Sequence, residues 1–133
     1  MTRLRKINPT EHQEQVTLFR VAERFRHLYM IPDRPEESYL DYMFAVPNGA
    51  PMSLKQRLWM MAEGLKPGVL DVWLMVPRGG YHGLIVEMKT KTGRVSKDQK
   101  RWLSFQRSRG YRVEVCRGRE EAWEVIKEYM EGK

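Results

Sequence analysis

The 133-residue sequence predicts an α/β fold, a mixed β-sheet with helices packed against it. Three observations lead there. Helix-like and strand-like stretches run in the order helix, short strand, helix, two strands, helix, strand, helix. Two apolar runs, 70–76 and 82–88, flank a short glycine-containing connection, which favours an antiparallel hairpin. The next strand is reached through a helix, which favours parallel pairing at that edge. Apolar residues make up 41%, enough to fill a core, so one folded domain over 1–133 is expected, with 1–7 as a loose basic arm.

Taken in order, the first helix starts at Asn8-Pro9-Thr10-Glu11 and runs to about Leu28. Asn8 serves as N-cap, Pro9 fits the first turn, and Glu11 has capping-box spacing. Val16, Leu18, Phe19, Ala22 and Phe25 form its apolar stripe. Glu11 and Gln15, one turn apart, head that stripe as polar residues. For Glu11, capping and a site role stay equally open; Gln15 also reads as a plain exposed residue. Residues 32–37 read as a loop, 44–46 as a short strand, and Asn48-Gly49-Ala50-Pro51 as a turn. Ser53 and Gln56 open a second helix to about Leu65, whose face is Leu54, Leu58, Met61 and Leu65. In the second hairpin strand, alternation sets Leu84, Val86 and Met88 on one face and Ile85, Glu87 and Lys89 on the other. Ser96 and Gln99 open a third helix to about Arg109, with Gly110 at its C-terminal cap. Trp102 has the chemistry to stack on a base, but its spacing with Leu103 and Phe105 favours core. Residues 111–116 are a strand. Residues 119–130 are a helix with the stripe Ala122, Val125, Ile126 and Tyr129. Cys116 alone excludes an internal disulfide and reads as a packed strand residue.

The formal net charge is +7, and its distribution says more than its size. From Lys89 to Arg119 there are eleven Lys or Arg against Asp98 and Glu114. A basic half on a nearly neutral body is the footprint expected for a phosphate backbone. No apolar run approaches the roughly 20 residues of a membrane helix, and no leader pattern is visible, so a cytoplasmic protein with no membrane partner is expected.

Polar groups interrupt the two hairpin runs where a plain core has none. Asp71 stands near the start of the first, and Glu87 and Lys89 end the second. A hairpin brings both carboxylates together, and the Met88 backbone carbonyl is placed to add a third oxygen. Hard oxygen ligands with open positions suit Mg²⁺ or Mn²⁺, which phosphodiester hydrolysis uses to stabilise phosphoryl charge. Lys89, on the face of Glu87, can meet the same phosphate or water. Gln99, in the first turn of the next helix, either supports that group or only closes its capping box. Lys91, Arg94, Lys97, Lys100 and Arg101 surround the helix, with Arg107 and Arg109 further along, and suit phosphate contacts. Standing alone, an Asp, a gap and Glu-x-Lys also fits a solvent-exposed strand end with a weak ion pair.

The flanks narrow the reading. Gly68-Val69-Leu70-Asp71, Gly83-Leu84-Ile85-Val86-Glu87-Met88-Lys89, Gly93-Arg94-Val95-Ser96-x-x-Gln99-x-x-Trp102 and Gly110-Tyr111 resemble the VRR-NUC domain of the PD-(D/E)XK nuclease superfamily. The likeness covers about 44–130, and the overall length resembles the small single-domain phage and bacterial members. One departure is Leu70, where the family usually has proline. The resemblance implies a restriction-endonuclease-like fold, a mixed central sheet flanked by helices. It implies a Mg²⁺- or Mn²⁺-dependent DNA endonuclease in a bacterial or phage-infected cell. It places the metal between Asp71 and Glu87, makes Lys89 catalytic and gives Gln99 a supporting role. It also implies a carboxylate from the upstream helix, for which Glu11 is the matching candidate, with Glu14 close by as its rival and Gln15 one turn on. Its small members imply a homodimer acting on branched DNA such as four-way junctions, with the 31–50 segment and the 53–65 helix as the expected interface; a non-catalytic DNA-binding module of the same fold is the alternative.

Overall fold

A computed structural model describes residues 9–47 and 51–132. The expected arm 1–7, the Asn8 cap and the 48–50 part of the expected turn lie outside them. Helix α1, Glu11–Arg24, is capped by Thr10 and Gln13, each side chain bonded to the other's backbone N–H. Thr10-x-x-Gln13 supplies both halves of a capping box, so Glu11 becomes the first helical residue and is not held by capping. The helix stops at Arg24 rather than near Leu28, and a 3₁₀ turn, Arg26–Tyr29, follows.

Where a loop was expected, Met30–Ile31 (β1) and Arg34–Ser38 (β2) pair as an antiparallel ribbon. Most of β2 faces solvent, so no apolar alternation betrays it. Its anchor is the buried Ser38, whose single hydroxyl hydrogen is shared between the Arg26 carbonyl at 2.7 Å and the Tyr29 carbonyl at 3.1 Å. Arg26 also clamps Asp41 at 2.7 Å.

The main sheet has the order β3-β4-β5-β6, with β3 Met43–Ala45, β4 Val72–Leu74, β5 Leu84–Lys89 and β6 Arg112–Arg117. The first two pairings are antiparallel and β5–β6 is parallel, as the hairpin and the helical crossover predict. On one face lie α1 and α4, Arg119–Met130. Leu18, Ala22, Ala122, Ile126 and Tyr129 pack there on Val72, Leu84, Val86 and Met88. On the other lies α3, Lys97–Ser108, whose Trp102 and Leu103 pack with Leu70, Ile85 and Val113. Strand β5 is therefore covered on both faces. Cys116 is buried as expected, and burial pushes its thiol up to about 12.

Helix α2, Leu54–Ala62, has the Ser53–Gln56 capping box that its sequence predicts, but no residue of it is buried. Leu54, Leu58, Trp59 and Met61 are exposed, so the expected apolar face covers no part of this core. Phe105 also departs from expectation: at 58% exposed it is no core residue. Both differences have one cause. Helical spacing shows that apolar residues share a face but not what that face meets.

Candidate active site

The register of β4 on β5 sets Val72 opposite Val86, so one residue further Asp71 meets Glu87. The Asp71 N–H donates to Glu87 Oε1 at 3.3 Å, and the Met88 N–H donates to Asp71 Oδ2 at 3.1 Å. The segment leading to Asp71 is held from α3 and β4. Trp102 Nε1 donates to the Pro67 carbonyl, and Trp73 Nε1 to that of Leu70. Gly68 has φ +82, and a Cβ there would lie 2.5 Å from the Asp98 carbonyl carbon, so only glycine permits this approach.

Lys89 ends β5 with its Nζ 3.7 Å from Glu87 Oε2 and 3.9 Å from Glu11 Oε1. Gln99 is divided between two tasks. Its Oε1 accepts from the Ser96 N–H at 2.9 Å, and its Nε2 donates to Glu87 Oε2 at 3.0 Å. The turn after Lys89 is fixed by Arg117, which donates to the Thr90 and Gly93 carbonyls. Asp71, Glu87, Lys89, Gln99 and the Met88 backbone thus form one hydrogen-bonded and ion-paired group, with Glu11 at its edge.

Glu87 is 1% exposed, which is unlike a solvated strand end. Burial, and next the Asp71 charge, push its carboxyl up to about 8, with Lys89 pulling the other way. Two crowded carboxylates with one cation at 3.7 Å are a set of hard oxygen donors short of positive charge. A divalent cation fits that deficit. Among the described residues no group of three or more His, Cys, Asp or Glu is gathered for a metal, so Glu11 stands beside Lys89 rather than inside the acid pair.

Gln15 is half-buried and lines a cleft of about 660 Å³ along α1 with His12, Phe19 and Met43. Lys91, Arg94, Lys97, Lys100 and Arg101 are all exposed around the start of α3. Arg107, read from the sequence as a phosphate contact, instead donates twice to the Val113 carbonyl and ties α3 to β6. Near the site, the role of one residue was missed in the sequence, and a second residue was missed altogether. Glu14 accepts from the Arg119 N–H at 2.8 Å and caps α4, whose Gly118 has no side chain to do so. Arg57 of α2 lines a pocket of about 200 Å³ with Asp71, Ser96 and Gln99. An exposed helix arginine carries no sequence signal that separates it from its solvated neighbours.

The fold is thus a mixed α/β sheet with one parallel crossover, carrying an Asp and a Glu at one end of adjacent strands with Lys89 beside them. The VRR-NUC domain model matches residues 10–120, and the chain belongs to that family. A solved structure described as a VRR_NUC domain protein is similar in fold, with a TM-score of 0.76. It is 23% identical, over 96% of this chain and 93% of that chain. Comparison with curated proteins gives no match. Membership carries a nuclease-type, DNA-processing function of a kind that typically uses a divalent metal. No helix among the described residues is long and apolar enough to cross a membrane.

Proposed function

We propose that this chain is a Mg²⁺- or Mn²⁺-dependent DNA endonuclease that acts as a homodimer on branched DNA such as four-way junctions. The observation that carries the chemistry is the buried Glu87 carboxylate, shared by Asp71, Gln99 and Lys89. Asp71, Glu87 and the Met88 carbonyl would hold the metal, with Glu11 as a further candidate from α1. When bound, the metal stabilises charge on the phosphoryl oxygens and acidifies the attacking water. Lys89 presents its ammonium to the same phosphate or water, and Glu11 steadies it from α1. Gln99 fixes the orientation of Glu87. Lys91, Arg94, Lys97, Lys100 and Arg101 hold the flanking phosphates in a salt-sensitive way. The preference for branched DNA and the dimer rest on the likeness to small family members, and the exposed apolar face of α2 supports the dimer.

The test is cleavage of four-way-junction and linear DNA with Mg²⁺, Mn²⁺ or EDTA, beside Asp71→Ala and Lys89→Ala. Metal-dependent cutting of the junction by the wild type alone is expected. Equal nicking by wild type and variants would mean a contaminant and end the enzyme reading. Metal-independent binding without cutting would make the chain a DNA-binding module.

A further inference from the structure

Phe105 and its neighbours form a surface that phosphodiester chemistry does not require. The ring is 58% exposed on a helix face it shares with Asp98, Arg101, Trp102 and Arg109. Arg101 and Arg109 stand one turn before and after it on that face, and the Arg109 guanidinium lies 5.6 Å from the ring centroid. Beside the ring opens a cavity of about 570 Å³, lined by Lys66, Pro67, Asp98, Arg101, Trp102 and Phe105. One wall is fixed, because Trp102 Nε1 donates to the Pro67 carbonyl at 3.1 Å. Pro67 and Asp98 also line the 200 Å³ pocket at Asp71, so the two pockets are neighbours that share a wall.

We propose that this cavity seats an unpaired nucleobase of the DNA strand being cut, stacked on Phe105. Arg101 and Lys66 would take its flanking phosphates, and the Asp98 carboxylate would accept from an amino or ring N–H of the base. The proposal rests on the nuclease reading and adds to it a reason for selecting DNA that is not fully paired.

The chemistry of the lining decides the occupant. Exposed aromatic rings set among cations are how proteins hold single strands, since every base offers a face to stack. A base inside a duplex has both faces covered by its neighbours and cannot use the ring. A phosphate does not suit the pocket interior, where Asp98 would repel it, whereas a carboxylate is a good acceptor for base amino groups. The Arg109 guanidinium over the ring adds a cation–π contact and brings positive charge towards the strand. Position fits as well. From Gln99 to Phe105 the helix rises about 9 Å, or two to three base steps of about 3.4 Å. The stacked base therefore lies within a few nucleotides of the scissile phosphate.

The test is binding in EDTA, so that no strand is cut. The wild type, Phe105→Ala and Phe105→Tyr are titrated with a fully paired duplex and with the same duplex carrying a single-stranded arm. A 2-aminopurine in that arm reports stacking. Phe105→Ala is expected to weaken binding of the armed duplex by about tenfold and to abolish the 2-aminopurine quench, leaving the paired duplex within about twofold. Phe105→Tyr is expected to bind as the wild type does. Because the ring is exposed, the melting temperatures should agree, and a melt of each variant checks this. Equal losses on both duplexes, no loss on either, or no DNA binding at all would overturn the proposal. Failure to cut DNA with metal, with the Phe105-dependent preference intact, would instead strike the nuclease reading alone.

Discussion

At the scale of single residues, Gln99 separates structure from activity. Its amide oxygen belongs to the cap of α3 and its amide nitrogen to Glu87. Ser96 still caps the helix when the amide is lost. Gln99→Ala should therefore cost about 1 kcal/mol in a thermal melt. The same change should lower cleavage or apparent metal affinity by about 10–100-fold, as loss of a ligand's supporting partner does. A fall in activity no larger than the stability loss explains would leave Gln99 a capping residue only. Glu87 makes a second prediction, in pH. Its carboxyl is raised to about 8 from an ordinary 4.5, so between those values the folded chain holds a proton that the unfolded chain has released. The metal-free protein should lose stability as pH rises from about 4.5 to 8, and Glu87→Gln should flatten that slope. Melts in EDTA across that range check it, and added Mg²⁺ or Mn²⁺ should restore the loss near pH 8. Asp71, Glu87 and Lys89 were legible because they interrupt apolar strands, where a charge needs a reason. The contact between Glu11 and Lys89 was not, because it depends on where α1 begins.

At the scale of elements, α1 carries two acids one turn apart in different jobs. The sequence left Glu11 open between cap and site, with Glu14 as a rival. Thr10 and Gln13 settle the cap, Glu14 turns towards α4, and Glu11 is left facing Lys89. Glu14→Ala should cost about 1 kcal/mol, a few degrees in Tm, by uncapping α4, with cleavage unchanged well below the melt. Glu11→Ala should shift stability by less than about 0.5 kcal/mol and lower cleavage, because its half-exposed carboxylate supports Lys89 rather than the fold. The opposite pattern in melts and cleavage rates would exchange the two assignments. The hairpin and the parallel strand were readable because turn glycines and a helical crossover leave few other pairings. The β1–β2 ribbon was not, because Arg34, Pro35 and Glu36 are exposed and a buried serine, rather than an apolar row, anchors it.

At the scale of the whole molecule, charge and apolar surface divide the outside of the protein. The basic stretch from Lys89 onwards was visible in the sequence and does surround α3. The apolar row on α2 was visible as periodicity, which cannot tell a core face from a surface, and its helix was the expected dimer interface only by inference from the family. Leu54, Leu58, Trp59 and Met61 leave four large apolar side chains in water on one short helix. A second copy meeting that face would be a two-fold contact, which matches two active sites to the two strands of a junction. Leu58→Glu combined with Trp59→Ala should give a monomer in sedimentation, with its circular-dichroism spectrum unchanged because both side chains are exposed on the protomer, and with a melt lowered by the lost subunit contact. Joining two weak sites raises junction binding without new contacts, so the monomer should lose about tenfold or more in junction over linear preference while keeping its linear binding. A wild type that sediments as a monomer at cleaving concentrations would overturn the dimer. A dimeric variant would move its interface away from α2.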